Sequence, residues 1–355
     1  MTRVSTVQLL DFEATAEGDL VQWLTSANCS VAVSHTNKVL TIGRDAKGGL
    51  QVNHVLFDRV TGVCLTDGGD LLVASQHELW RLTDALSPGD LSPTGADRWL
   101  MCRVARFVGG VRLADPIAVG DDCWFASVAL SAVCSLDDTF SAHVRWVPPF
   151  ISAVRPEQRC RLTGLGARDG VPTVVTSASV ADTPGGWSAH QRDGGVLIDF
   201  TTGEVLADGL SLPHSPRWHD GRWWLLQAGT GELGCVDGGR FEAVARIDGY
   251  ARGLAIHNGV ALIGASGSRW DELVAGLAVG DRLAASGERP DSGVFLVDLA
   301  SGNRIGGLRL EGTAREVADV VVLPGARTVE LSGPRSLIAQ DWTTFPLDVL
   351  PQPGA

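Results

Sequence analysis

The sequence predicts an all-β chain folded as a single β-propeller spanning residues 1–355, six-bladed with seven blades the alternative. Three observations carry that reading. Short apolar runs are separated along the chain by Asp-Gly and Asn-Gly turns, which supply positive φ at little steric cost and suit tight hairpins. One unit recurs, a short strand opening on glycine, a turn, and an apolar strand ending in a small residue: Gly62 to Ser75, Gly164 to Ser177 and Gly253 to Ser266. Counting the less regular units between them, successive units fall about 35 to 50 residues apart, the period of propeller blades. The tail Val317 to Leu323 repeats the first half of the unit, so it is expected to join the N-terminal blade and close the ring.

Taken in order, Ala16 to Thr25 reads as a short helix, because Leu20, Trp23 and Leu24 share one face at helical spacing. Ser30 to Ile42 reads as a hairpin turning at Thr36-Asn37, continued by Gln51 to Phe57. Gly62 to Leu82 turns at Asp67-Gly68-Gly69, and Asp115 to Val147 turns at Gly120-Asp121-Asp122. The fourth unit turns at Arg168-Asp169-Gly170 and resumes at Gly195 to Asp199 after a polar excursion. Pro213 to Val236 forms a β-meander turning at His219-Asp220-Gly221 and Gly229-Thr230-Gly231. The sixth unit, from Arg252 to Leu310, is interrupted by residues 268–286. Trp270, Leu273, Val274 and Leu277 there have helical spacing, and Ser268 stands where a cap belongs.

Composition narrows the function. With 41 acidic against 29 basic residues and a net charge of −12, nucleic acid and anionic membranes are poor partners, since phosphate binding needs a basic surface. Met1 to Leu24 has no long apolar core and carries Asp11, Glu13, Glu17 and Asp19, so no signal peptide is expected, and the longest uncharged apolar stretch, Cys123 to Leu136, is too short to span a bilayer. Seven cysteines without a C-x-x-C pair read as reduced, buried thiols rather than a disulfide framework or zinc ribbon. A cytoplasmic protein is expected, with a homo-oligomer allowed.

Pro213-His214-Ser215-Pro216-Arg217-Trp218 sets an imidazole and a guanidinium between two prolines. Together with Gly229 to Gly234, Asp193 to Asp199, Arg252 to Ala255 and Arg159-Cys160, it resembles a bacterial family of unknown function, DUF4915. The resemblance covers most of the chain and implies a propeller-like fold without a settled activity. This chain departs from the family pattern at two histidines, having Ala114 and Arg161 in their places. If those histidines bind metal in relatives, this chain has lost that centre or changed its chemistry.

Strand alternation puts His214, Pro216 and Trp218 on one side and Ser215, Arg217 and His219 on the other. His214 is the candidate general acid or base, imidazole alone having an unperturbed pKa near neutrality; a structural, hydrogen-bonded histidine is the competing reading. On the acid/base reading, His214→Ala leaves the fold intact and abolishes activity. Arg161, Arg217 and Arg252 lie at or near inner strands, where guanidiniums bind carboxylate or phosphate bidentately. They could equally pair with Asp115, Glu316 and Asp319 to tie blades together. Glu316 and Asp319 would face opposite ways, and Glu316 is taken as the inward catalytic partner. Asp115 and Trp218 complete the substrate-binding set, Trp187, Trp223 and Trp224 being assigned chiefly to packing. Gly229-x-Gly231-x-x-Gly234 opens no helix and is a hairpin, not a dinucleotide site. No nucleotide, flavin or clear metal motif is present, so no cofactor is predicted. A divalent metal on His214, His257 or His35 stays open. The functional expectation is non-redox acid/base chemistry, such as cyclisation, isomerisation, elimination or hydrolysis, on an anionic small molecule in an axial pocket. The alternative is a noncatalytic ligand- or protein-binding propeller.

Overall fold

The computed structural model describes residues 5–9, 12–267, 276–312 and 316–344. Its strands form six antiparallel sheets arranged as blades around an axis. Blade 1 runs outward from Val317–Pro324 through Cys29–His35 and Lys38–Arg44 to Leu50–Leu56. The C-terminal strand is thus the innermost strand of a blade otherwise built from N-terminal residues. Its antiparallel pairing, Val317 with His35 through Pro324 with Cys29, closes the ring. Blade 2 comprises Gly62–Leu65, Leu71–Ala74, Glu78–Asp84 and Arg98–Phe107, and Val329–Ser332 adds to it in parallel. Blades 3, 4 and 5 begin on inner strands Leu113–Val119, Leu162–Arg168 and Pro213–His219. Blade 6 consists of Tyr250–His257, Val260–Ser266, Gly293–Asp298 and Arg304–Gly312, with Phe12–Gly18 and then Ser5–Gln8 on its outer edge.

Apolar side chains from facing sheets interdigitate between neighbouring blades. Leu226 and Leu233 of blade 5, for instance, meet Leu254, Ile263 and Phe295 of blade 6. Each such side chain removed from water stabilises the fold by about 1.5–3 kcal/mol.

Three features differ from the sequence reading. The helix α1, Leu20–Ser26, buries Leu20, Trp23 and Leu24 as expected, but Ala16 to Gly18 belong to a strand paired with Gly306 to Leu308. Gly18 at φ 55° ends that strand. Arg98–Phe107 is a strand that the turn spacing did not announce. The inner strands also do not alternate regularly. Register shifts interrupt blade 1 between Val317 and Asp319, blade 3 between Ala114 and Ile117, blade 5 between His214 and Arg217, and blade 6 between Ala251 and Leu254. Such bulges re-aim side chains, so the expected facing of His214 against Arg217 does not hold.

Of the insertion in blade 6, Ala278–Ser286 forms helix α2. The expected cap at Ser268 and the helical positions Trp270, Leu273 and Val274 lie outside the described residues. Helix α2 lies at the end where the inner strands begin, since Ser266 pairs with Tyr250; this end is called the mouth. A short helix, α3, spans Leu337–Asp341. None of the described helices is long and apolar enough to cross a membrane.

Candidate functional site

Midway along the axis, three alternate blades each send one charged side chain inward. Asp319 comes from blade 1, Asp115 from blade 3 and Arg217 from blade 5. Arg217 Nη2 lies 2.5 Å from Asp115 Oδ1 and Nη1 3.2 Å from Oδ2, and Nη2 lies 3.8 Å from Asp319 Oδ1. Each side chain also bonds the backbone of the next blade. Asp319 accepts from Val63 N–H at 3.0 Å, Asp115 accepts from Leu165 N–H at 3.0 Å, and Arg217 Nε donates to the Leu254 carbonyl at 2.8 Å. Every backbone partner follows the glycine that opens a repeat unit, Gly62, Gly164 or Gly253. A Cβ on Gly164 would stand 2.6 Å from Ser215 N, and one on Gly253, at φ 78°, 2.5 Å from Asp319 Cα. The repeated glycine therefore admits its neighbour's inner strand to the axis.

Asp115 and Asp319 are 5% and 2% exposed. Burial first, and the Asp115 charge second, push the Asp319 carboxyl up to about 7, while Arg217 and the Val63 and Val320 N–H groups act the other way. Burial works to lower the Arg217 pKa, but Asp115 and Asp319 overcome it and leave it raised. The three groups thus meet across the axis, and this cluster is called the plug.

At the mouth lies a second constellation. His214 is buried, with Nδ1 3.1 Å from the Thr163 carbonyl and Nε2 3.4 Å from the Tyr250 hydroxyl. A carbonyl only accepts, so Nδ1 carries the proton and Nε2 accepts from the phenol. Burial, then Arg252 and Arg161, hold His214 well below the ordinary imidazole value despite the Thr163 bond, so it is neutral at pH 7. Arg252 donates to Glu316 Oε1 at 2.8 Å and to the Val317 carbonyl, and its Cζ lies 6.0 Å from the Tyr250 ring centroid.

Arg161 is half-buried, with its Cζ 4.2 Å from the Trp187 ring centroid. Among the described residues its guanidinium has no hydrogen-bond or ion-pair partner. Burial lowers its pKa; Tyr250 opposes this, and Arg252 and Arg112 add to it. Arg161 and Arg112 occupy equivalent places just before the inner strands of blades 4 and 3. Both have left-handed backbones, at φ 57° and 52°, a conformation that costs a non-glycine residue about 1–2 kcal/mol. Of these three arginines, Arg252 alone has a carboxylate partner among the described residues.

Two segments cover this end. Leu277, Val279 and Leu283 of the blade 6 insertion pack with Tyr250, Leu212, Ala178 and Ala228, and Trp187 of the blade 4 excursion rests against them. The segments are joined by Arg192 and Asp281 at 3.1 Å.

The structure thus divides the sequence-derived set. His214, Arg161, Arg252 and Glu316 gather at the mouth, whereas Arg217 and Asp115 form the plug with Asp319. Glu316 and Asp319 both reach channel arginines, at different depths. Trp218 is apart from both groups, its ring 5.1 Å from Trp223 between blades 4 and 5 with Arg168 against it. Tyr250 and Arg112 were missed. Tyr250 is the chain's only tyrosine and heads the inner strand aligned with the His214 strand, a signal the repeat contained. His35, His214 and His257 stand in separate surroundings, beside Phe12, Tyr250 and Trp23 respectively. Among the described residues no group of three or more His, Cys, Asp or Glu side chains is placed to hold a metal. Clefts of about 390 and 400 Å³ lie away from His214, one lined by Phe57, Glu78 and Trp80, the other by Arg289, Pro290 and Arg309.

A search of curated proteins finds no match. Among solved structures, the chain is similar to a protein of unknown function from Bacteroides caccae at 11% identity and a TM-score of 0.50, over 83% of this chain and 98% of that one. A gluconolactonase from Xanthomonas campestris is 12% identical with a TM-score of 0.47, over 88% and 89%. The virginiamycin B lyase of Staphylococcus aureus is 9% identical with a TM-score of 0.41, over 84% and 99%. At such identities the likeness is one of fold. The family model described as a domain of unknown function, DUF4915, matches residues 18–331, from the end of the strand Phe12–Gly18 into the parallel strand of blade 2, and the chain belongs to that family.

Proposed function

We propose that the protein is a small-molecule enzyme performing non-redox acid/base chemistry on an anionic substrate held at the propeller mouth. The observation that carries this reading is the charge balance there. Arg161 and Arg252 act on the buried, neutral His214 beside Tyr250, Arg112 acts on Arg161, and the one carboxylate paired with them is Glu316, in a chain whose net charge is −12. Low-dielectric walls around such a site strengthen attraction for an anion. Both His214 nitrogens are engaged, so a proton exchanged with a ligand would pass through the Tyr250 oxygen, with His214 fixing that hydroxyl. The reading calls on no cofactor.

The burial of His214 and Tyr250, 5% and 3% exposed, favours a second reading, a noncatalytic propeller that binds an anionic metabolite. A panel of carboxylated and phosphorylated small molecules, followed by NMR for turnover and binding, separates the two. Turnover abolished in Tyr250→Phe supports the enzyme, whereas binding without turnover establishes the second reading. A stoichiometric transition metal found by plasma mass spectrometry in protein purified without chelator would overturn the metal-free proposal.

A further inference from the structure

We infer that Arg161, its guanidinium over the Trp187 ring, is the fork that recognises the substrate's anionic group, and that Trp187 positions it. This rests on the anionic-site reading and names the residue that reads the anion. Arg252 is engaged through Nε and Nη2 by Glu316 and the Val317 carbonyl, so its charge is already answered by a carboxylate. Arg161 is placed differently. Its guanidinium sits against the Trp187 ring at 4.2 Å, and among the described residues none of its N–H groups is bonded. Stacking uses the guanidinium face and leaves the in-plane N–H groups at the edge. Two parallel N–H donors in one plane match two oxygens of a carboxylate or a phosphate. The left-handed backbone of Arg161 and its position before the inner strand aim it at the mouth, where Tyr250 and Arg252 lie close enough to influence its charge.

Trp187 is then a positioning residue acting through Arg161. It belongs to the short 3-10 helix Gly186–His190 and is half-buried, packing against the Leu277, Val279 and Leu283 cluster as well as against Arg161.

The test is calorimetric titration of the full chain with benzoate, succinate and inorganic phosphate, in wild type, Arg161→Met, Arg161→Lys, Trp187→Ala, Trp187→Phe and Arg252→Met, with circular dichroism confirming each fold. Wild type should bind at least one of these anions. Arg161→Met should weaken that binding by about tenfold to a hundredfold, the range for a charged bidentate pair. Arg161→Lys should fail to restore it, because a point charge lacks the fork, and Trp187→Phe should recover what Trp187→Ala loses. Equal binding by Arg161→Lys or an unaffected Trp187→Ala would each overturn the inference. Binding lost in Arg252→Met but intact in Arg161→Met would also overturn it and leave the anionic site standing. No binding of any anion by wild type would overturn both.

Discussion

Replacing Arg217 with methionine tests whether the axial plug is an energetic keystone. The substitution keeps an apolar stem and removes the charge and every donor. It leaves Asp115 and Asp319, both nearly inaccessible, without a cation between them, and the Leu254 carbonyl without its 2.8 Å donor. Breaking a buried ion pair from one side costs about 3–5 kcal/mol. Scaled to 355 residues, the unfolding entropy makes this a fall in Tm of roughly 4–7 °C at pH 8. The loss should depend on pH. The Asp319 carboxyl is already pushed up to about 7 by burial and Asp115, so its protonated form suits the fold. Its contribution to stability is full at low pH and is lost as pH rises through about 7. Removing Arg217 takes away a cation that favours the ionised form, so Arg217→Met should be least costly near pH 5. Calorimetric unfolding of wild type and variant at pH 5 and pH 8 decides the matter. A loss below about 0.5 kcal/mol at pH 8, the range of neutral surface changes, or an equal loss at both pH values would refute the reasoning.

Three further outcomes follow from the same geometry. His214→Ala strips the Thr163 carbonyl and Tyr250 hydroxyl of buried partners, so thermal unfolding should show a loss of about 1–3 kcal/mol, more than the fold-neutral change expected from sequence. Gly253→Ala combines φ 78° with a 2.5 Å approach to Asp319 Cα, whereas Gly259→Ala has φ 73° and open space. Urea denaturation should show Gly259→Ala costing about 1–2 kcal/mol and Gly253→Ala clearly more. A chain ended after Gly312 lacks Val317–Pro324, the inner strand of blade 1, and should show no cooperative unfolding transition.

The turns made the fold legible, and the repeat units made the ring legible, because glycine and aspartate at positive φ are local signals that survive without tertiary context. Gly62, Gly164 and Gly253 were visible as a repeat. Their purpose was not, since the atoms they make room for belong to Asp115, Ser215 and Asp319 on other blades. Side-chain facing failed at Asp115 and Ser215, at φ 47° and 53°, because each precedes a proline rather than a turn glycine, so nothing beside it marks a left-handed residue or a bulge. Arg98–Phe107 escaped because it pairs at long range without a flanking Asp-Gly turn. The candidate site was half legible. His214, Arg161, Arg252 and Glu316 were chosen as titratable or charged groups near strand starts, but the burial that makes His214 neutral and commits both its nitrogens depends on blades 4 and 6 together.

The arginines alternate in role according to depth, and that division bears on what the protein can do. Arg217 has two carboxylates within 3.8 Å and three carbonyls within 3.3 Å, so a ligand would have to displace a buried network to reach it. Arg252 is tied to one carboxylate closer to the mouth. Arg161 has a ring for a partner and its donors free among the described residues. Along the axis, charge compensation thus runs from complete at the plug to incomplete at the opening. An anion gains most where the protein has not already neutralised its own cation, which supports the proposal that Arg161 recognises it while Arg217 holds the blades.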